Sequence, residues 1–415
     1  MKELMLSMAK KAKVCAHVLA TAPTEQKNKA LTAAAKLMRE QTDAILAANR
    51  TDLDALPPDT APAMRDRLLL TPDRVAAMAQ GVEEIAALPD PVGRVLARWT
   101  RPNGLEISRV SVPLGVIGVI YESRPNVTAD AGALCFKSGN AVILRGGSES
   151  FHSSSKIAEL LHAGLREAGL PEDCVQFVPT TDRAAVGELL KLDEYIDVIV
   201  PRGGKSLIQR ITDESRIPLF KHLNGICHTY IHQAADADKA RKVVLNAKMR
   251  RTGTCNSTET ILCDKAVSKT ILPAVLDDLL QSGCEVRGDE QTQTVDSRVA
   301  PATKEDWDTE YLAPIVSVKI VENIDEAVEH IARHSSHHTE SILTENAAAA
   351  EKFLNEVDSA VVMVNASTQF CDGGEFGMGA EIGIATGRLH ARGPVGLEQL
   401  TTFKYQVRGD GQIRP

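Results

Sequence analysis

Aromatic residues are scarce in this sequence: 8 Phe, 5 Tyr and 2 Trp make up 4% of 415 residues. Stacking platforms for single-stranded nucleic acid need aromatic rows interleaved with basic residues, so the composition argues against such a ligand. Positive charge is also in the minority, because 47 Lys and Arg stand against 55 Asp and Glu, for a net charge of −8. We therefore expect no nucleic-acid partner and no broad cationic surface for an anionic membrane.

The cysteines lack the close pairing that disulfide frameworks show. Eight are scattered through the chain and no CxxC pair occurs, which predicts a reduced, cytoplasmic protein. No stretch approaches 18 consecutive apolar residues, and Lys10, Lys11 and Lys13 interrupt the N-terminal segment where a signal peptide needs its apolar core. The sequence therefore predicts neither export nor a membrane span.

Familiar nucleotide and metal motifs are incomplete. PRGGKS (201–206) lacks the first glycine of a P-loop because Ile199 stands there, and Gly377 and Gly379 lack the third glycine of a dinucleotide fingerprint. The histidines of HIARHSSHH (330–338) have no HExxH, CxxC or carboxylate set to complete a metal site. We expect a solvated helix end there and no metal.

The apolar pattern predicts an α/β fold. Ala and Leu recur at helical spacings in residues 3–50 and 64–88, where Thr24 and Glu25 are placed as N-terminal caps. From Val116 on, short apolar runs alternate with longer helical stretches, as in a parallel sheet covered on both faces. The runs are 115–121, 141–145, 175–178, 195–200 and 227–231.

A second α/β domain is expected from about residue 230, because helical and strand patterns continue beyond it. Two segments fit neither domain. LEISRVSV, within residues 99–115, predicts an isolated pair of exposed strands, and the tail after residue 388 has no evident place. Isolated strands need a partner, and a subunit interface is one source of it.

Two predicted strands end in the same Arg-Gly-Gly turn, at 145–147 and 202–204, and a helix follows each turn. Glycines let backbone N–H groups at a helix N-terminus approach a phosphate closely. Two such turns at one edge of a parallel sheet predict a phosphate-bearing ligand. The planar fork of Arg145 suits a 2′-phosphate, which favours NADP over NAD. The alternative is a plain strand-to-helix turn.

Cys255 differs from the other cysteines in its surroundings. The segment LNAKMRRTGTCNSTET puts Lys248, Arg250 and Arg251 just upstream, in a loop. Cationic neighbours favour the thiolate and a loop position exposes it, so Cys255 is the candidate nucleophile. Cysteines embedded in apolar runs are expected to be buried: Cys135, Cys174, Cys227 and Cys263.

Asn126 is a candidate oxyanion donor. It follows a strand and Pro125, immediately before a predicted helix, so its carboxamide can point from the sheet edge into a cleft. The alternative is an N-cap for the helix that begins at Val127. Both interpretations stay open at this point.

Five long motifs resemble the aldehyde dehydrogenase superfamily, in order and spacing, over essentially the whole chain. They are PLGVIGVIYESRPNVT (113–128), the turn at 202–204, the Cys255 loop, EYLAPIVSVKIVENIDEAVEHI (310–331) and AVVMVNASTQFCDGGEFGMGAE (360–381). The resemblance implies a Rossmann-like NADP-binding domain, an α/β catalytic domain and a small β oligomerisation element. The implied bounds are 1–98 with 116–226, then 227–387, and finally 99–115 with 388–415.

The resemblance also implies roles for individual residues. Cys255 matches the nucleophile and Asn126 the oxyanion amide. The positions implied to contact the cofactor are Arg145, Arg202, Gly203, Gly204 and Glu310. Hydrolytic members carry a glutamate in a Glu-Leu-Gly-Gly stretch upstream of the cysteine, where this chain has His-Leu-Asn-Gly at 222–225.

That departure fits a phosphate-dependent reaction, because water attacking the intermediate would waste an activated acid. The resemblance implies NADPH-dependent reduction of L-glutamyl 5-phosphate to L-glutamate 5-semialdehyde in proline biosynthesis, through a Cys255 thioester and with release of phosphate. The alternative is a hydrolytic NAD(P)-dependent semialdehyde dehydrogenase in which His222 or another base replaces the glutamate. A catalytically silent binding protein would not need to retain Cys255, Asn126 and Glu310 together.

Charge and position suggest further substrate contacts. Arg124 is a candidate for the substrate carboxylate and Arg251 for the phosphate, while Ser367 and Thr368 lie in the region expected for the amino-acid end. The implied oligomerisation element predicts a homo-oligomer. Association with glutamate 5-kinase, which supplies the labile acyl phosphate, is a further expectation about partners.

Overall fold

A computed structural model describes residues 1–414 of the chain. Several of its helices begin at a polar side chain that caps a free backbone N–H group; Asp236, for example, accepts the Lys239 N–H at 2.8 Å. The helices are α1 (Lys2–Leu19), α2 (Thr24–Glu40), α3 (Thr42–Asp54), α4 (Pro62–Leu68), α5 (Pro72–Ala87), α6 (Asn126–Lys137), α7 (Phe151–Glu167), α8 (Ala184–Leu189), α9 (Lys205–Glu214), α10 (Ala237–Met249), α11 (Leu272–Gln281), α12 (Glu290–Val295), α13 (Ile324–His334) and α14 (Ala347–Glu356).

The strands follow the apolar, β-branched runs of the sequence. They are β1 (Val95–Thr100), β2 (Glu106–Pro113), β3 (Val116–Tyr121), β4 (Ala141–Arg145), β5 (Val175–Phe177), β6 (Val198–Arg202), β7 (Cys227–Ile231), β8 (Thr258–Asp264), β9 (Glu285–Gly288), β10 (Ala300–Pro301), β11 (Ile315–Val321), β12 (Thr339–Leu343), β13 (Val361–Val364), β14 (Ile384–Ala385), β15 (Gly393–Pro394) and β16 (Thr401–Arg408). The run predicted at 195–200 becomes a strand only from Val198, because the Tyr195 and Ile196 N–H groups donate to the Leu192 carbonyl in a turn.

The predicted N-terminal helical region forms α1, α2 and α3, separated near Pro23 and Gln41. The expectation that Thr24 and Glu25 cap a helix is wrong, because α2 begins at Thr24 and its N-cap is Pro23. The Thr24 hydroxyl instead donates to Asp90 Oδ2 at 2.9 Å. This bond ties the start of α2 to the segment after α5.

The chain divides into two compact units. The N-terminal unit comprises Met1–Lys221, Gly377–Gly383 and the residues from Pro394 on. Its main sheet has the strand order β5-β4-β3-β6, with parallel pairing throughout. β3 and β4 are buried along their whole length, which explains their continuous hydrophobicity. Parallel pairing brings the carboxyl ends of β3, β4 and β6 to one edge.

A second sheet of the N-terminal unit has the order β1-β2-β16 and is antiparallel. The expectation of an isolated strand pair within 99–115 is wrong, because residues 106–113 form one central strand whose partners come from this same chain. Outward-facing Trp99, Phe403, Tyr405 and Val407 are exposed on this sheet. Its role as an oligomerisation element stays a prediction.

The C-terminal unit comprises His222–Phe376 and Ile384–Gly393. Its sheet has the order β10-β9-β11-β8-β7-β12-β13 and is parallel. Neighbouring residues of β7 enter different apolar clusters: Ile231 packs with α10 and α11, and Tyr230 packs with α13 and α14. Because successive side chains of a strand point to opposite faces, helices cover both faces of this sheet. The predicted α/β class is therefore confirmed.

Within residues 1–414, no helix is both long and apolar enough to cross a membrane.

Candidate active site

Cys255 lies in the loop between α10 and β8, in the C-terminal unit. It is half-buried, whereas the other seven cysteines of the sequence are buried. The predicted burial of Cys135, Cys174, Cys227 and Cys263 is confirmed. Among the cysteines, the accessible loop position thus belongs to the one that was predicted as the nucleophile.

The segment at 222–225 packs directly beneath Cys255. A Cβ atom on Gly225 would lie 2.6 Å from the Cys255 carbonyl carbon and 2.7 Å from its Cα, and closer still to its carbonyl oxygen. Only glycine allows this approach. The Cys227 thiol donates to the same carbonyl oxygen at 3.2 Å, and burial raises the pKa of Cys227 well above its usual value, which keeps the donor proton in place.

Glu310 meets the same segment, because its Oε1 accepts the Gly225 N–H at 2.9 Å. Two hydrogen bonds hold the residues after Glu310. The Leu312 N–H donates to Glu259 Oε1 at 3.3 Å, and the Tyr311 hydroxyl donates to Asp306 at 2.7 Å. Leu312 has a positive φ of 51°. The structure thus brings Glu310 and the Cys255 backbone close to the same glycine.

Two histidines accompany the Cys255 thiol. One ring nitrogen of His222, one of His338 and the Cys255 Sγ all lie within 4.8 Å of one another, and the two rings meet edge to face with centroids 5.3 Å apart. His222 Nδ1 is 2.9 Å from the Ile384 carbonyl oxygen. Burial lowers the pKa of His338 to about 3, so this imidazole is neutral near pH 7.

The predicted solvated helix end at 330–338 is wrong for two of its histidines. His330 and His338 are buried, and burial beside His228 lowers the pKa of His330 to about 2. His334 Nδ1 lies 2.8 Å from Asp308 Oδ1. His338 immediately precedes β12, which pairs with β7. This long-range pairing places His338 near Cys255, and no local sequence pattern indicates it.

The expectation of three cationic side chains beside the Cys255 thiol is wrong for Lys248. Lys248 is fully buried, and its ammonium pairs with Glu259 at 2.5 Å. It is therefore not available to a substrate phosphate. Arg250 and Arg251 are exposed, and the Arg250 guanidinium donates to Gln369 Oε1 at 3.2 Å.

The turn at 367–371 holds the Cys255 loop in place through hydrogen bonds. Gln369 Nε2 donates to the Ala247 and Arg251 carbonyls at 3.1 and 3.2 Å, and Asn256 Nδ2 donates to the Cys371 carbonyl at 3.1 Å. Gln369 and Asn256 were missed by sequence reasoning, because nothing local marks a side chain that bridges two distant loops.

Ser367 and Thr368, the predicted substrate contacts, are buried in this turn. Ser367 Oγ accepts the Gln369 N–H at 3.3 Å. Thr368 Oγ1 is 3.1 Å from Thr258 Oγ1, which in turn lies 2.7 Å from Thr229 Oγ1. Both hydroxyls therefore take part in bonds that hold the turn in shape.

In the N-terminal unit, Asn126 is exposed at the first position of α6, and the N-cap is Pro125. The alternative of an Asn126 cap is wrong. Its Nδ2 donates to Asp130 Oδ2 at 2.9 Å, one turn further along the helix. Burial raises the pKa of Asp130 to about 6, and the positive charge of Arg202 opposes the rise. Arg124, just before the helix, is exposed.

Arg145 ends β4 and is buried. Its Nη1 and Nη2 donate to the Gly146 and Thr181 carbonyls at 2.9 and 3.1 Å. Its Nε is buried, and no hydrogen-bond partner for it occurs among the described residues. Both Nη groups of Arg145 are thus engaged by main-chain carbonyls, at the sheet edge where β4 ends.

The second Arg-Gly-Gly turn, at 202–204, joins β6 to α9 as predicted. The Gly204 N–H donates to Glu122 Oε2 at 2.9 Å, and a Cβ on Gly203 would lie 2.5 Å from that same oxygen. Nearby, Glu149 Oε1 accepts from both the backbone N–H and the hydroxyl of Ser123 at 2.7 Å. The donors of both segments are thus engaged by the carboxylates of Glu122 and Glu149.

Comparisons with known proteins give the same family as the sequence motifs. The family model described as "Aldehyde dehydrogenase family" matches residues 2–297 and 294–404. The chain is 65% identical to the gamma-glutamyl phosphate reductase of Rhodospirillum rubrum over 413 residues, which cover 99% of this chain and 97% of that protein. The corresponding protein of Paramagnetospirillum magneticum is 62% identical, with coverages of 99% and 98%.

The solved structure of a similar protein has the same fold. The crystal structure of gamma-glutamyl phosphate reductase from Thermotoga maritima matches with a TM-score of 0.97 and 46% identity, over 99% of this chain and 100% of that one. The aldehyde dehydrogenase-like fold that the motifs implied is therefore confirmed.

Proposed function

The chain belongs to the aldehyde dehydrogenase family, and on that premise we propose that it is an oxidoreductase reducing L-glutamyl 5-phosphate to L-glutamate 5-semialdehyde in proline biosynthesis. The observation that carries the proposal is similarity to gamma-glutamyl phosphate reductases over 99% of the chain. The half-buried Cys255 is consistent with it, because an acyl-transfer nucleophile must be both reachable and held in place.

In the proposed reaction, the Cys255 thiolate attacks the carbonyl carbon of the acyl phosphate. The carbon–oxygen bond to the phosphoryl group breaks, inorganic phosphate leaves, and a thioester forms on the sulfur. Gly225 and Cys227 support this step, since both hold the Cys255 backbone through its carbonyl group. Arg251, exposed just upstream, is the proposed contact for the phosphate.

The family uses a nicotinamide cofactor, and when bound it supplies the hydride that reduces the thioester carbon. We propose that Asn126 and the Cys255 backbone N–H stabilise the oxygen that becomes negative in this step. Asn126 donates only one of its two amide hydrogens to Asp130. The other remains for the oxyanion, whose collapse expels the Cys255 thiolate and releases the semialdehyde.

We propose NADP(H) as the cofactor, held by Arg145 through a 2′-phosphate, by the turn at 202–204 and by Glu310. The position of Arg145 at the carboxyl end of β4, the edge where ligands bind in open α/β sheets, supports this assignment. Arg145→Ala is expected to weaken NADP⁺ binding at least about tenfold more than NAD⁺ binding, as measured by fluorescence titration. The exposed neighbour Arg183 provides the control, and Arg183→Ala is expected to change both affinities little. Equal losses for the two cofactors in Arg145→Ala would contradict the NADP assignment.

The test of the reaction is oxidation of glutamate semialdehyde with NADP⁺, with and without phosphate. Under the proposal, activity requires phosphate or arsenate. A hydrolytic enzyme would work without either, and the proximity of His222 to the Cys255 thiol makes this the competing outcome. Cys255→Ala is expected to lose more than about 10³-fold in turnover with NADP⁺ binding retained, whereas Cys284→Ala, a buried cysteine of the same unit, is expected to keep activity. Near wild-type turnover in Cys255→Ala would exclude the covalent mechanism.

Substrate and partner assignments complete the proposal. Arg124 is the proposed contact for the substrate carboxylate, and the turn holding Ser367 and Thr368 is proposed to face the amino-acid end. We propose a cytoplasmic homo-oligomer that associates through the exposed apolar side chains of β1 and β16. Association with glutamate 5-kinase remains a prediction, which co-sedimentation of the two proteins can test.

A further inference from the structure

His222, Cys255 and His338 form a cluster of three potential metal ligands in the C-terminal unit. One nitrogen of each imidazole and the Cys255 Sγ lie within 4.8 Å of one another. Thiolate and imidazole are the ligands that Zn²⁺ prefers in proteins. Among residues 1–414, this is the only group of three or more His, Cys, Asp or Glu side chains that could hold a metal ion together.

The surroundings of both imidazoles resemble the outer shell of a metal site. Ligating histidines almost always bond a carbonyl, carboxylate or hydroxyl through their second nitrogen, which fixes the orientation of the ring. His222 Nδ1 contacts the Ile384 carbonyl at 2.9 Å, and His338 Nδ1 contacts the Thr339 hydroxyl at 2.8 Å. A carbonyl oxygen only accepts, so in neutral His222 the proton is on Nδ1 and the lone pair is on Nε2.

His338 supplies an independent observation. Its side chain is fully buried, and its Nε2 has no hydrogen-bond partner among the described residues. A buried polar nitrogen without a partner costs free energy, which a bound ligand would recover. The edge-to-face contact with His222 places this ring beside the other two ligands.

We propose that His222, Cys255 and His338 form an inhibitory site for Zn²⁺ or a similar divalent transition-metal ion. The ion displaces the proton of the Cys255 thiol, a metal–sulfur bond forms, and the proton goes to solvent. Ideal distances of about 2.3 Å to sulfur and about 2.0 Å to nitrogen place the ligand atoms roughly 3.5 Å apart. Small side-chain rotations from separations of at most 4.8 Å achieve this.

Three protein ligands leave one tetrahedral position for water or an oxygen of phosphate. The ion would therefore occupy the sulfur that must attack the acyl phosphate. This consequence rests on the proposed function, because it takes Cys255 as the nucleophile, whereas the binding itself does not depend on the reaction. Zinc would then regulate turnover by competing with substrate for one atom.

Cobalt binding to the full-length protein tests the site without an activity assay. Co²⁺ is expected to give thiolate-to-metal charge-transfer absorption in the near ultraviolet together with intense tetrahedral d–d bands, and Zn²⁺ is expected to abolish both. Cys255→Ser should remove the charge-transfer absorption. His222→Gln and His338→Gln should each weaken binding at least about tenfold. His337→Gln, next to His338 but exposed, serves as the matched control and should bind normally.

A second measurement, on the wild-type protein, tests the proposal even if the His338 variant does not fold. In the wild-type protein, zinc is expected to protect Cys255 from alkylation by iodoacetamide and to inhibit turnover, and a chelator should reverse both effects. Cobalt bound without a thiolate band, or alkylation unaffected by zinc, would overturn the proposal. A normal cobalt spectrum in a protein without phosphate-dependent activity would instead overturn the proposed function and leave the metal site standing.

Discussion

Replacing Gly225 by alanine is expected to displace the nucleophile without removing any reacting group. The added Cβ would lie 2.6 Å from the Cys255 carbonyl carbon and 2.7 Å from its Cα. Carbon atoms in contact are about 3.5 to 4.0 Å apart, so the Cys255 backbone must move by about 1 Å. Displacement of a reacting atom by about 1 Å can cost on the order of 100-fold in rate, so kcat/KM for Gly225→Ala should fall about 100-fold.

The same loop contains a matched control. A Cβ on Gly253 meets nothing within 4 Å, so Gly253→Ala is expected to stay within about twofold of wild type in kcat/KM and should stabilise the loop slightly. The assay is phosphate-dependent oxidation of glutamate semialdehyde, with thermal unfolding recorded for both variants. Wild-type activity in Gly225→Ala, or equal losses in the two variants, would refute the argument that this contact positions Cys255.

Two further predictions concern groups away from the sulfur. Lys248→Met is expected to lower the free energy of unfolding by about 3 to 5 kcal/mol, because Glu259 then stays buried without its partner; Lys265→Met, which breaks an exposed ion pair, should cost less than about 1 kcal/mol. Urea unfolding measures both, and similar losses would count against the burial argument. Burial raises the pKa of Asp130 to about 6, so the carboxylate that accepts the Asn126 N–H is lost as the pH falls through 6. The pH–rate profile should therefore decline on its acid side near pH 6, and Asp130→Asn should remove that decline; an unchanged profile would argue against this positioning role.

Sequence reasoning predicts what local pattern determines. β3, β4 and β7 lie within a residue of their apolar runs, because continuous hydrophobicity directly reflects burial on both sheet faces. Cys255 is recognisable for a similar reason, since its neighbours in sequence are polar and cationic, while Cys135, Cys174, Cys227 and Cys263 lie in apolar runs.

Residues that depend on long-range pairing could not be predicted in this way. Lys248 was expected to be a cationic neighbour of the Cys255 thiol, but its buried partner Glu259 lies on a different element, β8. At the start of α7, the Asp52 carboxylate of α3 accepts the Ser153 N–H at 2.8 Å, a bond that no local pattern indicates. His338 approaches Cys255 only through the pairing of β12 with β7. In each case the deciding neighbour is remote in sequence.

The central position of β2 has a consequence for synthesis of the chain. One of its edges is covered by β1, which is made just before it, but the other is covered by β16, which is made only after residues 222–376 of the C-terminal unit. Asn140 likewise bonds the Leu400 carbonyl at 2.9 Å. The N-terminal unit therefore cannot finish folding until most of the C-terminal unit has been translated. Until β16 emerges, β2 presents an unpaired edge to other nascent chains, so the pairing of β16 is the step that closes this route to aggregation.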